Sequence, residues 1–158
     1  MEYLAGIDIG GTKCAVTIGK IQDDQVELLW KEKFPTPKGP QAAVDKLVET
    51  LKHMLSAHPE VKLTAVGISC GGPLDSRKGL ILCPPNLPDW DGIDVTPFEE
   101  AFHVPAAVQN DANACALAEW FWEPAGEPVI WFSSPWNGYR RRPYFRRKAL
   151  QRHQRHGR

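Results

Sequence analysis

Apolar and polar positions along the first third of the chain fall into short runs punctuated by breakers. Tyr3 to Ile9 reads as a buried strand, and Cys14 to Ile18 is a second β-prone run. Gly10-Gly11 between them is a hairpin signal. Val26 to Phe34 offers a third strand after the polar turn Gln22-Asp23-Asp24, and Pro35-Thr36-Pro37-Lys38-Gly39-Pro40 breaks it. Ala43, Leu47, Val48, Leu51, Met54 and Leu55 then recur at helical spacing, and His58-Pro59 stops that helix. Leu63 to Ser69 and Leu80 to Leu82 read as strands, with Gly71-Gly72-Pro73 as a loop and Pro84-Pro85-Asn86-Leu87-Pro88 as an extended segment. Thr96 is the expected N-cap of a helix to Phe102, with Pro97 first in the helix and Glu99 at N3. Val104 to Val108 is another strand, and Ala112 to Trp122 a strong helix. Three opening strands argue against a plain Rossmann start. They predict an α/β fold whose mixed sheet opens with a three-stranded meander, followed by crossover helices.

Composition narrows the class. A length of 158 residues allows one ordinary domain with its own core, and 42% hydrophobic residues exclude a wholly disordered or collagen-like chain. No apolar run reaches the ~20 residues of a membrane span. The start, Met1-Glu2-Tyr3, has no basic or long apolar leader, so no signal peptide is expected. Cys14, Cys70, Cys83 and Cys115 show no CxxC spacing, which favours a reduced, cytoplasmic compartment and disfavours zinc.

Net charge is zero, from 19 Lys+Arg and 19 Asp+Glu, but the sum hides two unlike segments. Residues 1–135 carry all nineteen acids against ten basic residues, net −9. Residues 136–158 carry nine basic residues and no acid, net +9, with eight of the nine arginines.

Four loops could carry chemistry. In Asp8-Ile9-Gly10-Gly11-Thr12-Lys13, two glycines let the backbone approach a phosphate. Thr12 adds a hydroxyl and Lys13 a cation, and Asp8 would face a phosphate-bound Mg2+. A strand rather than a helix follows, and GxxxxGK[ST] is absent, so this is not a Walker A loop. The bland alternative is a simple hairpin turn. Gly71-Gly72-Pro73 sits at a strand's carboxyl end, where open α/β sheets bind ligands, or is only a turn. Asn86 offers a donor and an acceptor to adjacent sugar hydroxyls, and Trp90 could form a pocket wall; otherwise Pro84 to Trp90 is a surface loop. Asp111, between a strand end and a helix start, is either an N-cap or a general base.

Taken together, GIDIGGTK (Gly6 to Lys13), GISCGGPLDSRKG (Gly67 to Gly79), PPNLPDWDGI (Pro84 to Ile93) and NDANACALAEW (Asn110 to Trp120) resemble the N-terminal half of the ROK family. That family contains bacterial sugar kinases of the glucokinase type and related repressors. The resemblance covers Tyr3 to Trp122 and implies an actin-like/ribonuclease-H-like ATPase fold. It implies that Asp8, Gly10, Gly11, Thr12 and Lys13 serve the phosphates and Mg2+ of ATP. It places Gly71, Gly72, Asn86, Asn110 and Asp111 at the sugar, with Asp111 as base. Glucose is the default hexose, with N-acetylmannosamine, fructose and allose left open, as is a homo-oligomer of the full-length parent. The repressor class carries an N-terminal helix-turn-helix, for which a first strand at Tyr3 leaves no room.

After Trp122 the resemblance stops. The domain division expected is therefore 1–122 as the N-terminal ATPase lobe and 123–158 as a basic tail outside the family, without fixed structure. The family's second glycine-rich phosphate loop, its zinc-binding Cys/His cluster and its second lobe would lie beyond. Residues 136–158 have a specific property instead. Taking the last two bases of each codon with the first of the next, Trp136 followed by Asn137 forces glycine, and Asn137 followed by Gly138 permits only Thr or Met. Continued over 22 junctions, the displaced frame accommodates GTGIGAGLILDGRLYSGTNGMA without one forbidden position. That string looks like the missing family segment, so a frame change between Trp122 and Trp136 is expected. The rival readings of the arginines are a nucleic-acid-binding arm, with Tyr139, Tyr144 and Phe145 stacking bases, and a solvated tail. No specific nucleic-acid partner is expected. The literal chain is expected to be a nonenzymatic remnant of an ATP-dependent hexose kinase.

Overall fold

The structure is a computed structural model that describes residues 1–23 and 25–115. Its frame is set by strands whose alternate residues are apolar. β1 (Glu2–Ile9) buries Ala5, Ile7 and Ile9, and β2 (Lys13–Gln22) buries Cys14, Val16 and Ile18. β3 (Gln25–Pro35) completes the meander, with an irregularity in its register between Ile18 and Gly19 of β2. The chain then forms α1 (Pro40–Ala57), β4 (Leu63–Cys70), β5 (Leu74–Asp75), β6 (Leu80–Leu82), β7 (Asp91–Asp94), α2 (Thr96–Phe102) and β8 (Ala106–Asn110). The main sheet has the order β3-β2-β1-β4-β8, and β5, β6 and β7 form a second, antiparallel sheet. β1 is antiparallel to β2 but parallel to β4, and β4 is parallel to β8. This is the mixed α/β sheet expected of an actin-like ATPase lobe.

The period of two in the strands meets the period of 3.6 in α1. Ala43, Leu47, Leu51 and Met54 of α1 are buried together with Ala5, Ile7, Val16, Ile18, Val66 and Ile68 in one core. Pro40 lies in the first turn of α1, where its missing N–H costs nothing. At the other end the His58 N–H donates to the Leu55 carbonyl at 3.1 Å before Pro59 ends the helix. His58 then stacks on Trp30 of β3, ring centroids 3.6 Å apart, tying the edge strand to the helix end.

Several expectations need correction. β5 and β7 were not anticipated; they are two and four residues long, too short for a readable pattern. The N-cap of α2 is Val95, not Thr96, because the Asp94 carboxylate accepts the Thr96 N–H at 3.0 Å. Glu99 does not close a capping box; its carboxylate accepts the Ala106 N–H at 3.1 Å and so anchors the start of β8. Trp90 is not a pocket wall. It is 1% exposed and belongs to the core with Leu87, Ile81 and Phe98. The Pro84–Pro88 segment is a turn rather than an extended run, since Cys83 and Asp89 both take left-handed backbone (φ 47° and 68°) and fold it back.

Met1–Asp111 forms one compact unit. The helix expected over 112–122 is described only through its first residues, helical over 111–115. The basic tail and the expected frame change lie outside the described residues. No helix among the described residues is long and apolar enough to cross a membrane.

Candidate functional site

Parallel pairing brings three strand ends to one edge. Ile9 of β1 lies beside Cys70 of β4, and Cys70 beside Asn110 of β8. Asp8, Gly71 and Asp111 each stand one residue from this row, so loops distant in sequence meet at the carboxyl edge of the sheet. Asp111 follows β8 directly and opens the next helical turn. Asp8 and Asp111 are both exposed.

The contacts between loops are specific. Gly11, in the β1–β2 turn, packs against Asn86 so closely that a Cβ there would lie 2.9 Å from the Asn86 Cβ and nearer still to its carbonyl oxygen. Gly72 faces Asn110, where a Cβ would lie 3.0 Å from the amide nitrogen Nδ2. Gly71 has open space around it among the described residues. The expected sugar-loop asparagines therefore each rest on an expected backbone glycine. Asn86 is carried by a turn whose Leu87 and Trp90 are buried. The Leu87 N–H donates to the Pro84 carbonyl at 2.9 Å, and the Cys83 N–H to the Trp90 carbonyl at 3.0 Å.

The turn Gly10–Lys13 is shaped by hydrogen bonds to its carbonyls. The Gly10 N–H donates to the Lys13 carbonyl at 3.2 Å. Thr36, from the β3–α1 connection, donates its hydroxyl to the Gly10 carbonyl at 2.6 Å and its N–H to the Thr12 carbonyl at 3.0 Å. Neither the Gly11 nor the Thr12 N–H donates to a backbone carbonyl among the described residues, and both residues are exposed. Exposed N–H groups without a backbone acceptor suit an anion. Lys13 is exposed beside them.

Beneath this edge the Cys70 thiol is buried, and its pKa is pushed up to about 12. Desolvation is the largest cause, followed by the carboxylates of Asp111 and Asp8 and by Cys14; the Gly71 backbone N–H opposes them. One thiol thus senses both carboxylates, in keeping with their positions next to the paired strand ends of β1 and β8. Cys70 and Thr36 escaped the reading from sequence. Thr36 stood between two prolines and registered only as part of a breaker, and nothing local marks Cys70.

Among the described residues no group of three or more His, Cys, Asp or Glu could hold a metal. Magnesium needs no such cage, because one or two carboxylates, water and the phosphates themselves complete its shell. An exposed Asp8 at the end of β1, next to the Gly10–Lys13 turn, fits that chemistry.

The chain as a whole is similar to known proteins. A glucokinase from Streptomyces coelicolor is 34% identical over 121 residues, covering 76% of this chain and 36% of the glucokinase. The crystal structure of a ROK hexokinase from Thermus thermophilus superposes with a TM-score of 0.63 at 37% identity, over 74% of this chain and 38% of that one. A ROK family glucokinase from Streptomyces griseus, solved with glucose and AMPPNP, matches with a TM-score of 0.63 at 29% identity, over 79% of this chain and 38% of that one. This chain therefore spans well under half the length of these relatives. The model of the ROK family matches residues 4–128, most of the sequence, and the chain belongs to the ROK family.

Proposed function

We propose that residues 1–122 are the N-terminal lobe of an ATP-dependent hexose kinase, with glucose as the first sugar to test. The meeting of Asp8, the Gly11–Asn86 contact, the Gly72–Asn110 contact and Asp111 at one sheet edge supports this reading most. Asn86 and Asn110 orient sugar hydroxyls, and the Gly71-Gly72 backbone leaves the ring room to approach. Asp111 accepts the proton of the attacking hydroxyl as its oxygen bonds to the terminal phosphorus and the bond from that phosphorus to the bridging oxygen breaks. The N–H groups of Gly11 and Thr12, the Thr12 hydroxyl and Lys13 hold negative charge on the phosphates, and Asp8 the divalent cation. ATP with Mg2+ supplies the transferable phosphoryl group. Cysteines that are all free, together with ATP chemistry, fit a cytoplasmic setting.

Turnover is assigned to the parent enzyme and not to this chain. The family match ends at residue 128, while 30 residues of different character follow it. The displaced frame across residues 136–158 accounts for that change, with the arginines arising from glycine codons read one base out of step. The test is to restore the frame between codons 122 and 136, express both proteins, and follow glucose-dependent ADP release. The restored protein is expected to turn over and the 158-residue chain not to. Asp111→Asn in the restored protein is expected to lower kcat at least about 100-fold. A restored protein that binds glucose but never releases ADP would favour a sugar-responsive repressor of the same family instead. Codons 136–158 that spell another string in the next frame would end the frame proposal.

A further inference from the structure

We propose that Thr36 is the positioning residue of the phosphate turn. The inference rests on the reading of Gly10–Lys13 as a phosphate-binding turn, and deepens it.

A trans peptide unit holds its C=O and the following N–H antiparallel in one plane. Whatever grips the Gly10 carbonyl therefore also aims the Gly11 N–H, and aims it the opposite way. The Thr36 hydroxyl grips that carbonyl at 2.6 Å. Its backbone N–H takes the Thr12 carbonyl at 3.0 Å, so one residue holds two of the turn's carbonyls. The Gly11 N–H, left without a backbone acceptor among the described residues, is turned away from Thr36.

Proton bookkeeping extends the arrangement inward. A threonine hydroxyl has one proton, and it is committed to Gly10. The 3.4 Å contact between Thr36 Oγ1 and Cys14 Sγ therefore has the thiol as donor. Cys14 is 1% exposed and is the second residue of β2, so the relay runs from the core through Thr36 to the turn. Consecutive hydrogen bonds of this kind polarise one another. Thr36 itself lies in the Pro35-Thr36-Pro37 connection, where proline restricts the backbone on both sides. The turn between two strands is thereby fixed from outside by a third element, and an anion meets N–H groups already set in place.

The test uses the full 158-residue chain with Thr36→Val, which keeps the shape but loses the hydroxyl, and Thr36→Ser, which keeps the hydroxyl. Two quantities are measured: affinity for Mg·ATP by calorimetric titration, and 15N order parameters of the Gly11 and Thr12 amides. Thr36→Val is expected to weaken Mg·ATP binding about tenfold, the effect of leaving a part-buried acceptor without its donor. Its Gly11 and Thr12 order parameters are expected to fall from the rigid range near 0.85 to below about 0.6. Thr36→Ser is expected to keep both within twofold and within error of the wild type.

Wild-type order parameters in Thr36→Val would overturn the proposal. So would Thr36→Ser failing as badly as the valine variant, since the methyl rather than the hydroxyl would then be at work. If the wild-type chain binds no Mg·ATP, the phosphate reading of the turn fails for this chain, and the order parameters alone still decide the clamp. Should Thr36→Val not fold, Thr36→Ala, which removes the hydroxyl without placing a second methyl near the Cys14 thiol, is read by the same outcomes.

Discussion

Gly11→Ala and Gly71→Ala form a matched pair, because the two glycines belong to the same site but differ in their surroundings. Neither has a positive φ, so alanine is permitted by the backbone at both. At Gly11 the new Cβ would lie 2.9 Å from the Asn86 Cβ and closer to the Asn86 carbonyl oxygen, whereas ordinary contact begins at 3.4 Å. Backbone atoms cannot swing aside like the end of a lysine, so the Asn86 turn must retreat by roughly 0.5–1 Å, an overpacking that costs about 1–3 kcal/mol. That turn is anchored by buried Leu87 and Trp90, so the strain stays local instead of dispersing. For a domain of this size the cost corresponds to a fall of roughly 4–12 °C in Tm. Thermal unfolding of the 158-residue chain, with and without saturating glucose, is the assay. Gly11→Ala should lower Tm and also reduce the stabilisation by glucose, because the displaced residue is Asn86. Gly71→Ala should leave the ligand-free Tm within about 1 °C, since nothing described lies within 4 Å of its Cβ, and yet abolish the glucose effect by intruding on the sugar. A Gly11→Ala chain with wild-type Tm and wild-type glucose stabilisation would refute the argument, as it would mean the two loops are not in firm contact.

Trp90→Ala should destabilise the chain by about 3–5 kcal/mol in chemical denaturation, as expected for a large side chain removed from a core; a loss under about 1 kcal/mol would mean that Trp90 does not anchor the Asn86 turn. The Cys70 thiol makes a prediction about alkaline pH. Its folded pKa of about 12 lies above the unfolded 9.0, so between these values the folded chain keeps a proton that the unfolded chain has lost. Stability from this group is complete below pH 9 and declines as pH rises toward 12. Tm should therefore fall more steeply above pH 9 in the wild type than in Cys70→Ala, and parallel curves would contradict the burial of the thiol.

Much of this architecture was legible because periodicity is a local property. The 3.6-residue spacing from Ala43 to Leu55 and the alternation in β1 and β2 each announce an element without knowledge of the rest of the chain. β7, Asp91–Asp94, carries no such signal, as only Ile93 is apolar. The cap of α2 misled for a different reason. Thr96 and Asp94 are both competent caps, and the fold uses the carboxylate because the helix starts one residue earlier than the Thr96-Pro97 pair suggests. Trp90 shows the limit most clearly. Flanked by Asp89 and Asp91 it reads as a pocket wall or part of a surface loop, whereas the folded loop, with left-handed backbone at Asp89, carries it in the core. At the candidate site, the loops could be named from the sequence and their contacts could not. Gly11 touching Asn86, or Thr36 reaching Gly10, depends on loop approaches that no short-range pattern encodes.

The strand order has a consequence for how the protein comes into being on the ribosome. The central strand β1 is made first, yet it must wait for β4 to fill its other side, and β4 in turn waits for β8. Sheet closure is thus scheduled by the arrival of Asn110. Every strand of the described sheets, and each residue assigned to the phosphates or the sugar, has been synthesised by residue 111. Whatever frame the ribosome is reading when it reaches codon 136, this edge of the sheet and its loops have already been translated.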